Sequence, residues 1–155
     1  MMISSAGILF YRFAPDGERQ VWIAHMGGPF WAGKDEHAWS IPKGEYAPGE
    51  DPYAAALREF EEEMGSPPPA ADYRLLGHFR QSSRKTITVY CAEAEFQPER
   101  IVSNTFALEW PPRSGRFQEV PEIDDAGWFS ESAARTKLVK GQVQVLDALE
   151  QLLHG

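Results

Sequence analysis

The order of its segments predicts a mixed α/β domain for this chain. Apolar, partly β-branched runs occupy residues 3–13 and 19–26, and such runs favour strands. A segment rich in Ala, Glu and Leu over residues 51–64 is typical of a helix, and a second helical pattern covers residues 140–154. Further strand-like runs lie between these two helices. The length of 155 residues fits a single domain with a substantial core over residues 1–155.

The N-terminal runs are predicted to form a hairpin, because the turn residues Ala14-Pro15-Asp16-Gly17 separate them. Residues 27–38 then form a loop that contains Phe30 and Trp31. These two aromatic residues either anchor the long loop or contact a nucleobase. A short strand over residues 39–41 leads into the central helix through a loop.

The central helix is predicted over residues 51–64, with Gly65 at its end. Its apolar residues Leu57, Phe60 and Met64 fall at positions i, i+3 and i+7. This spacing places them on one stripe, which we expect to face a core.

After the central helix we expect three strands, a long loop and a short strand. The three strands cover residues 73–81, 86–96 and 104–110, the loop covers residues 111–125, and the short strand covers residues 126–129. The second of these strands carries apolar residues on both faces, so it should be central in a sheet. The loop is assigned because its sequence is too polar and too rich in proline for a core. Ser130 can cap a short helix before the C-terminal one.

Composition excludes several classes of function. A net charge of −8 argues against a general nucleic-acid-binding surface. The single cysteine, Cys91, cannot form an intrachain disulfide, which fits a reducing compartment. The N-terminus lacks a signal pattern, and no apolar run is long enough to span a bilayer. We therefore expect a cytoplasmic protein without a membrane partner.

Three carboxylates give the central helix its chemical character. Glu59, Glu62 and Glu63 fall at i, i+3 and i+4, on a different face from the apolar stripe. Like charges at this spacing repel one another, so the group needs a compensating cation. Ligands that offer only oxygen suit a hard divalent ion such as Mg²⁺, or Mn²⁺. A solvated acidic face is the alternative interpretation, but the flanking residues also fit a site.

Those flanking residues resemble a known signature. Gly44, five residues, Glu50, seven residues and then the run Arg58-Glu59-Phe60-Glu61-Glu62-Glu63-Met64-Gly65 match the box of the Nudix hydrolases. One position departs, because Ser66 stands where the family usually has an aliphatic residue. The resemblance implies an α/β/α sandwich with a mixed β-sheet between helices. It also implies a pyrophosphohydrolase in which water attacks phosphorus in a nucleoside diphosphate linked to another group.

The resemblance further implies a role for each residue of the box. The implied catalytic residues are Arg58, Glu59, Glu62, Glu63 and Glu50. The implied Mg²⁺ ligands are Glu59, Glu62 and Glu63, the Gly44 carbonyl and, from a later loop, Glu122. Arg58 and Glu50 would form an ion pair that orients the metal-binding carboxylates. The carboxylate that takes the proton from water stays open, because Nudix enzymes differ in its position.

Residues outside the box must recognise the substrate. The stretch WSIPKG, over residues 39–44, resembles the segment before the box in diadenosine tetraphosphate hydrolases and related nucleotide pyrophosphohydrolases. Together with a basic turn, this resemblance makes Lys43, Arg84 and Lys85 candidates for phosphate binding, the alternative being ordinary surface charges.

The resemblance favours a dinucleoside polyphosphate or a nucleoside triphosphate as the substrate. Nucleotide sugars, diphosphoinositol polyphosphates and RNA caps stay open as alternatives. So does a catalytically silent module that senses a nucleotide, although a pure binder has no need of an intact Arg58, Glu59, Glu62 and Glu63.

Overall fold

The computed structural model describes residues 2–154. Within them the strands are β1 Ile3–Phe13, β2 Arg19–Met26, β3 Trp39–Ser40, β4 Lys43–Glu45, β5 Arg74–Ser82, β6 Lys85–Glu93, β7 Thr105–Glu109, β8 Phe117–Pro121 and β9 Ile123–Ser130. The helices are α1 Pro52–Met64, α2 Glu131–Lys137 and α3 Val143–His154, with a 3₁₀ turn at Lys140–Gln142. The predicted order of strands, helix, strands and final helices is confirmed.

Seven of these strands form one mixed sheet. Its main order is β3-β2-β1-β6-β5, with β4 paired to β1 and β9 paired to β2. The strands β1 and β6 are parallel, whereas the pairs β1–β2 and β5–β6 are antiparallel. As predicted from its apolar residues on both faces, β6 lies inside the sheet, between β1 and β5.

Helices cover both faces of this sheet, so the predicted α/β/α sandwich is confirmed. On one face α1 packs Phe60 and Met64 against Phe10 of β1, and the rings of Phe10 and Phe60 meet edge to face at 5.2 Å between centroids. On the other face α2 and α3 pack against the sheet around Leu146 and Leu149. These five side chains are fully buried: Phe10, Phe60, Met64, Leu146 and Leu149.

Local chemistry fixes both ends of α1. The side chain of Asp51 accepts hydrogen bonds from the backbone N–H groups of Tyr53 and Ala54, which caps the N-terminus. At the other end Gly65 adopts φ 77°, in the left-handed region, and its N–H donates to the Glu61 carbonyl. The helix predicted from residue 51 to residue 64 is therefore confirmed, and its register along the sheet is fixed.

The prediction of a single loop over residues 111–125 is wrong. Residues 117–121 form β8, and β9 begins at Ile123. The error has a physical cause, because β7 and β8 pair only with each other, as a separate two-stranded ribbon. Polar side chains can stay exposed on both faces of such a ribbon, and Phe117 itself is 68% exposed, so the core criterion used for the prediction does not apply.

A second strand was absent from the prediction. The residues of β4 were expected to belong to a loop, but they pair antiparallel with Ser5–Gly7 of β1. A Cβ added to Gly7 would lie 2.7 Å from the Lys43 Cβ, so glycine is what allows this close approach. None of the helices in residues 2–154 combines the length and the apolar character needed to cross a bilayer.

Candidate active site

An open cleft of about 560 Å³ lies beside the acidic face of α1. Its walls come from the start of β1, the end of β2 with the loop that follows, the β3–β4 segment, α1, the β5–β6 hairpin, β7 with the residue before it, and the β8–β9 turn. The predicted site residues in its lining are Lys43, Gly44, Glu59, Glu62, Glu63, Lys85 and Glu122. The fold thus gathers predicted site residues from four parts of the chain around one space.

The cleft wall buries Glu63, which sets this residue apart from a solvated acidic face. Only 5% of the surface of Glu63 is exposed. Its Oε1 accepts a hydrogen bond from the backbone N–H of Lys43 at 3.2 Å. Burial raises the pKa of Glu63 to about 8, although the charge and the N–H of Lys43 oppose the shift. A carboxylate in this position is costly to ionise without a cation nearby.

Next to it, Glu59 is held from one side by Arg58. The guanidinium donates from Nε and Nη2 to Glu59 Oε2, at 3.3 and 3.2 Å. Burial raises the pKa of Glu59, and the charge of Glu62 adds to the increase, while Arg58 opposes it. On the other side, a Cβ added to Gly44 would overlap the Glu59 carboxylate. The glycine that opens the box therefore leaves room for this carboxylate.

A clamp between the preceding loop and α1 is formed by Arg58 and Glu50. The Nη1 of Arg58 pairs with Glu50, and Glu50 also accepts the backbone N–H of Ala47 at 3.2 Å. The hydrogen bond from Arg58 is the main cause that lowers the pKa of Glu50. A further contact joins Arg58 Nη2 to the Glu45 carbonyl of β4 at 3.5 Å. Glu50 itself lies outside the cleft lining, and Arg58 joins it to the cleft residue Glu59.

Far along the chain, Glu122 reaches the same cleft from the turn between β8 and β9. Its N–H donates to the Asn104 carbonyl at 3.0 Å, and its carbonyl accepts the Gly27 N–H at 2.8 Å. These backbone bonds fix the turn. Burial raises the pKa of the Glu122 carboxyl, with Lys43 opposing and the charges of Glu62 and Glu45 adding to the rise.

The three basic candidates are not equivalent in the structure. Lys43 and Lys85 line the cleft, whereas Arg84 lies in the β5–β6 turn and is not among the lining residues. The Arg84 carbonyl accepts the Ile3 N–H at 2.7 Å, so the backbone of this residue joins the hairpin to β1. The fold therefore brings two of the three cations to the acidic cleft.

Aromatic residues also line the cleft. Trp31 is among the lining residues and packs against the core at the same time, whereas Phe30 is 54% exposed. Phe106 of β7 also lines the cleft. Sequence reasoning missed Phe106, Gln81 and Ser40 as cleft residues. Phe106 lies in the strand predicted over residues 104–110, and a strand pattern does not reveal which surface each face of the strand meets.

The donor set fits a hard divalent cation. Within residues 2–154 no three Asp, Glu, His or Cys side chains already converge as metal ligands. However, the carboxylates of Glu59, Glu62, Glu63 and Glu122 all face one cleft. The raised pKa of Glu59, Glu63 and Glu122 shows that burial and mutual repulsion disfavour their charged forms. A divalent ion with oxygen ligands would relieve both effects.

Comparison with known families identifies the family of this chain. The sequence model of the NUDIX domain matches residues 4–149. The chain belongs to the Nudix family. With Arg58, Glu59, Glu62 and Glu63 all in place, it is a Nudix hydrolase, and enzymes of this family generally use divalent metal ions. Comparison with curated protein sequences gives no match.

Solved structures share the fold of this Nudix hydrolase. The Ap4A hydrolase of C. elegans, in a binary complex, superposes with a TM-score of 0.67 at 20% identity, over 99% of both chains. The NUDIX domain of Shewanella oneidensis NrtR, complexed with ADP ribose, gives 0.63 at 15% identity, over 99% of this chain and 89% of that one. The Nudix hydrolase RenU from M. smegmatis gives 0.61 at 20% identity, over 97% and 85%.

Proposed function

We propose that this Nudix hydrolase cleaves a nucleoside diphosphate linked to another group, with Mg²⁺ as the metal ion and Mn²⁺ as a substitute. The substrate class that we favour is a dinucleoside polyphosphate or a nucleoside triphosphate. The observation that carries the proposal is one cleft whose lining includes the box carboxylates Glu59, Glu62 and the buried Glu63, together with Lys43 and Lys85. Such a cleft offers oxygen ligands for a metal beside cations for phosphate.

Charge explains why both parts are needed. The protein carries a net charge of −8, and its cleft contains several carboxylates. A polyphosphate would be repelled from this surface without compensation. A divalent ion held by Glu59, Glu62 and Glu63 would neutralise the diphosphate and lower the pKa of the attacking water. Lys43 and Lys85 would then bind the phosphates that lie further from the box.

The proton of the attacking water needs an acceptor, and the structure offers three carboxylates with a raised pKa: Glu59, Glu63 and Glu122. A general base works best when its pKa lies near the operating pH. Glu63 has a pKa of about 8, but it is also the most buried of the three. We therefore keep all three as candidate bases. Arg58 acts on Glu59 from behind and is a positioning residue.

Nucleotide recognition is supported by the aromatic residues of the cleft and by two fold neighbours. Trp31 and Phe106 line the same space as the box, and aromatic faces stack on bases without strong sequence preference. One neighbour is an Ap4A hydrolase and another was solved with ADP ribose. At 20% and 15% identity these proteins share the fold, and their ligands only suggest which compounds to test first.

A substrate panel tests the proposal. Purified protein is incubated with diadenosine tetraphosphate, nucleoside triphosphates, ADP-ribose, nucleotide sugars, a diphosphoinositol polyphosphate and capped RNA, each with and without Mg²⁺. We expect turnover of a nucleoside diphosphate compound that chelation of the metal abolishes. Binding of a nucleotide without hydrolysis of any compound would instead support the silent sensing module, and the Glu62→Gln variant provides the matched inactive control.

A further inference from the structure

A fully buried glutamine lies directly behind the cleft. Gln142, in the 3₁₀ turn before α3, has no exposed surface. Its Oε1 accepts the backbone N–H of Ile41 at 2.8 Å. Its Nε2 donates to Ser40 Oγ at 3.0 Å and to Gln81 Oε1 at 3.2 Å. Ser40 and Gln81 are both lining residues of the cleft, so the amide of Gln142 connects two parts of its wall.

These contacts determine the orientation of both amides. A backbone N–H can only donate, so Ile41 requires the carbonyl oxygen of Gln142 on its side. The amide nitrogen of Gln142 must then face Ser40 and Gln81, where it can only donate. Gln81 therefore presents its oxygen to Gln142, and its own amide nitrogen is directed elsewhere. The backbone N–H of Ile41 thus fixes the orientation of the Gln81 amide through the amide of Gln142.

The nitrogen of Gln81 is the donor that this network leaves free. Within residues 2–154 it has no hydrogen-bond partner, although Gln81 is half-buried in the cleft wall. The hydroxyl of Ser40 is already used, because it donates to the Ile41 carbonyl at 2.8 Å. A half-buried donor without a partner in a binding cleft is a group that a ligand can satisfy.

Close packing of the 3₁₀ turn on β5 makes this network possible. A Cβ added to Gly141 would overlap the Gln81 carbonyl and lie 2.9 Å from the Gln81 Cγ. The absence of a side chain at Gly141 therefore lets the turn approach the strand. Gln144 supports the same contact, since its Nε2 donates to the Arg80 carbonyl at 2.9 Å. Residues close to the C-terminus thereby hold a residue of the cleft in place.

We propose that Gln81 binds substrate by donating an Nε2 hydrogen bond to a phosphate oxygen, and that Gln142 positions it for this contact. The inference rests on the proposed function, because it names a binding residue of the same cleft. A phosphate oxygen is favoured over a base because Gln81 and Lys85 lie close together where β5 and β6 join, and both line the cleft. A neutral donor beside a cation suits an anionic oxygen.

Direct binding tests the contact without requiring turnover. The ligand is inorganic imidotriphosphate, in which NH groups replace both bridging oxygens and resist hydrolysis. It is added in the presence of Mg²⁺, and its Kd is measured by isothermal titration calorimetry. We expect Gln81→Leu to weaken binding about tenfold and Gln81→Glu to weaken it further, since a carboxylate repels the phosphate. Gln151→Leu is the matched control, because Gln151 is exposed on α3 and outside the cleft lining.

Two results would overturn the contact. The first is an unchanged Kd for imidotriphosphate in both Gln81 variants. The second is a loss of affinity that appears only with adenosine-bearing ligands, which would move the contact to the base. Because binding is measured directly, a lack of turnover in the substrate panel would count against the proposed reaction and leave this test standing.

The positioning role of Gln142 has its own test. Gln142→Leu removes the amide nitrogen that holds the Gln81 oxygen, so the Gln81 amide is no longer fixed with its own nitrogen directed at the cleft. We expect Gln142→Leu to weaken imidotriphosphate binding in the wild-type background and to have little further effect on Gln81→Leu. If Gln142→Leu does not fold, Gly141→Ala replaces it in the same cycle. Additive losses in that cycle would show that neither residue acts through Gln81.

Discussion

The Glu63 carboxylate occupies a position where a neutral side chain would be more stable. It is 5% exposed and receives a backbone hydrogen bond from Lys43, and one such bond offsets only part of the cost of burying a charge. A leucine of similar size at this position would carry no charge to bury. An acid at this position is consistent with the proposed metal binding, which would need its charge.

We predict that Glu62→Gln and Glu63→Gln each keep the fold and lower turnover by orders of magnitude. The carboxamide preserves the size of the side chain but removes the charge that a hard cation requires. Steady-state kinetics and thermal unfolding of the purified variants provide the measurement. Glu61→Gln is the control, because Glu61 is exposed on the same helix and outside the cleft lining. Near-normal activity of both variants at limiting Mg²⁺ would contradict the metal assignment.

The hydrogen bonds behind the cleft wall show which features of the site could not be predicted from the sequence. The box residues were predictable because their spacing is local and lies on one helix and the loop before it. By contrast, the network of Gln142, Ser40 and Gln81 joins residues that are 61 and 102 positions apart. No periodicity in the sequence connects them. A buried glutamine can be recognised only when the packing of the 3₁₀ turn on β5 is known.

At the scale of elements, Arg58 connects the loop before α1, the helix itself and β4. It pairs with Glu50, donates to Glu59 and contacts the Glu45 carbonyl. The guanidinium is suited to this role because its five donors point in fixed directions. The structure therefore uses one side chain to hold three segments around the carboxylates.

We predict that Arg58→Ala lowers kcat about 10- to 100-fold, the usual range for groups that orient metal ligands. KM should change less, because Arg58 is proposed to hold Glu59 and not to touch substrate. Glu50→Ala should share part of this effect. A double-mutant cycle measures the coupling, and the double variant should lose less than the sum of the single losses. Full additivity would show that the two residues do not work as a pair.

A second connection between elements depends on pH. In the loop before β3, Asp35 Oδ1 accepts hydrogen bonds from Trp39 Nε1 at 2.9 Å and from Lys137 Nζ of α2 at 2.8 Å. The hydrogen bond from Lys137 is the main cause that lowers the pKa of Asp35 below its usual 3.8, and the bond from Trp39 adds to it. The folded protein therefore binds fewer protons at this site than the unfolded chain does. The stabilisation is present above the unfolded pKa and is lost as the pH falls through the folded one.

We predict that thermal stability falls less steeply between about pH 5 and pH 3 in Asp35→Asn than in the unmodified protein. The amide cannot be protonated in this range, so this part of the acid sensitivity disappears. Unfolding curves recorded at several pH values provide the measurement. Asp72→Asn, a change at an exposed residue, is the control. Parallel stability curves for Asp35→Asn and the unmodified protein would show that the contact is weak.

Elements with local signals were predicted well, and those that depend on pairing partners were not. The helix α1 has an apolar stripe and a terminal glycine in its own sequence, and the structure has Phe60, Met64 and Gly65 in these roles. The strand β8 has none of these signals, since its order comes from its partner β7. The three-residue β4 depends likewise on β1, and on the glycine there that admits it.

At the scale of the whole molecule, an acidic protein must attract an anionic substrate. The net charge is −8, and the cations of the cleft lining are Lys43 and Lys85. A metal ion at the box can neutralise only the phosphates close to the scissile bond. The two lysines lie in different parts of the cleft wall, since Lys43 is the first residue of β4 and Lys85 is the first residue of β6. Longer phosphate chains should therefore gain more from the lysines than short ones.

We predict that Lys85→Ala raises KM more for diadenosine tetraphosphate than for a nucleoside diphosphate sugar, with a smaller change in kcat. A lysine acts as a point charge, so its contribution should grow with the number of phosphates within its reach. Arg84→Ala is the matched control, because the neighbouring Arg84 is outside the cleft lining. Equal effects of Lys85→Ala on both substrates, or none, would make this lysine an ordinary surface charge.

We propose that the acidic cleft catalyses metal-dependent attack of water on a phosphorus atom of a nucleoside diphosphate compound. The most direct measurement is hydrolysis of diadenosine tetraphosphate in ¹⁸O-labelled water, with Mg²⁺ and after its removal by chelation. We predict that one nucleotide product carries ¹⁸O on a phosphate, that chelation stops the reaction, and that added Mg²⁺ restores it. Hydrolysis that continues unchanged without the metal, or that is equally fast in Glu62→Gln, would contradict the account.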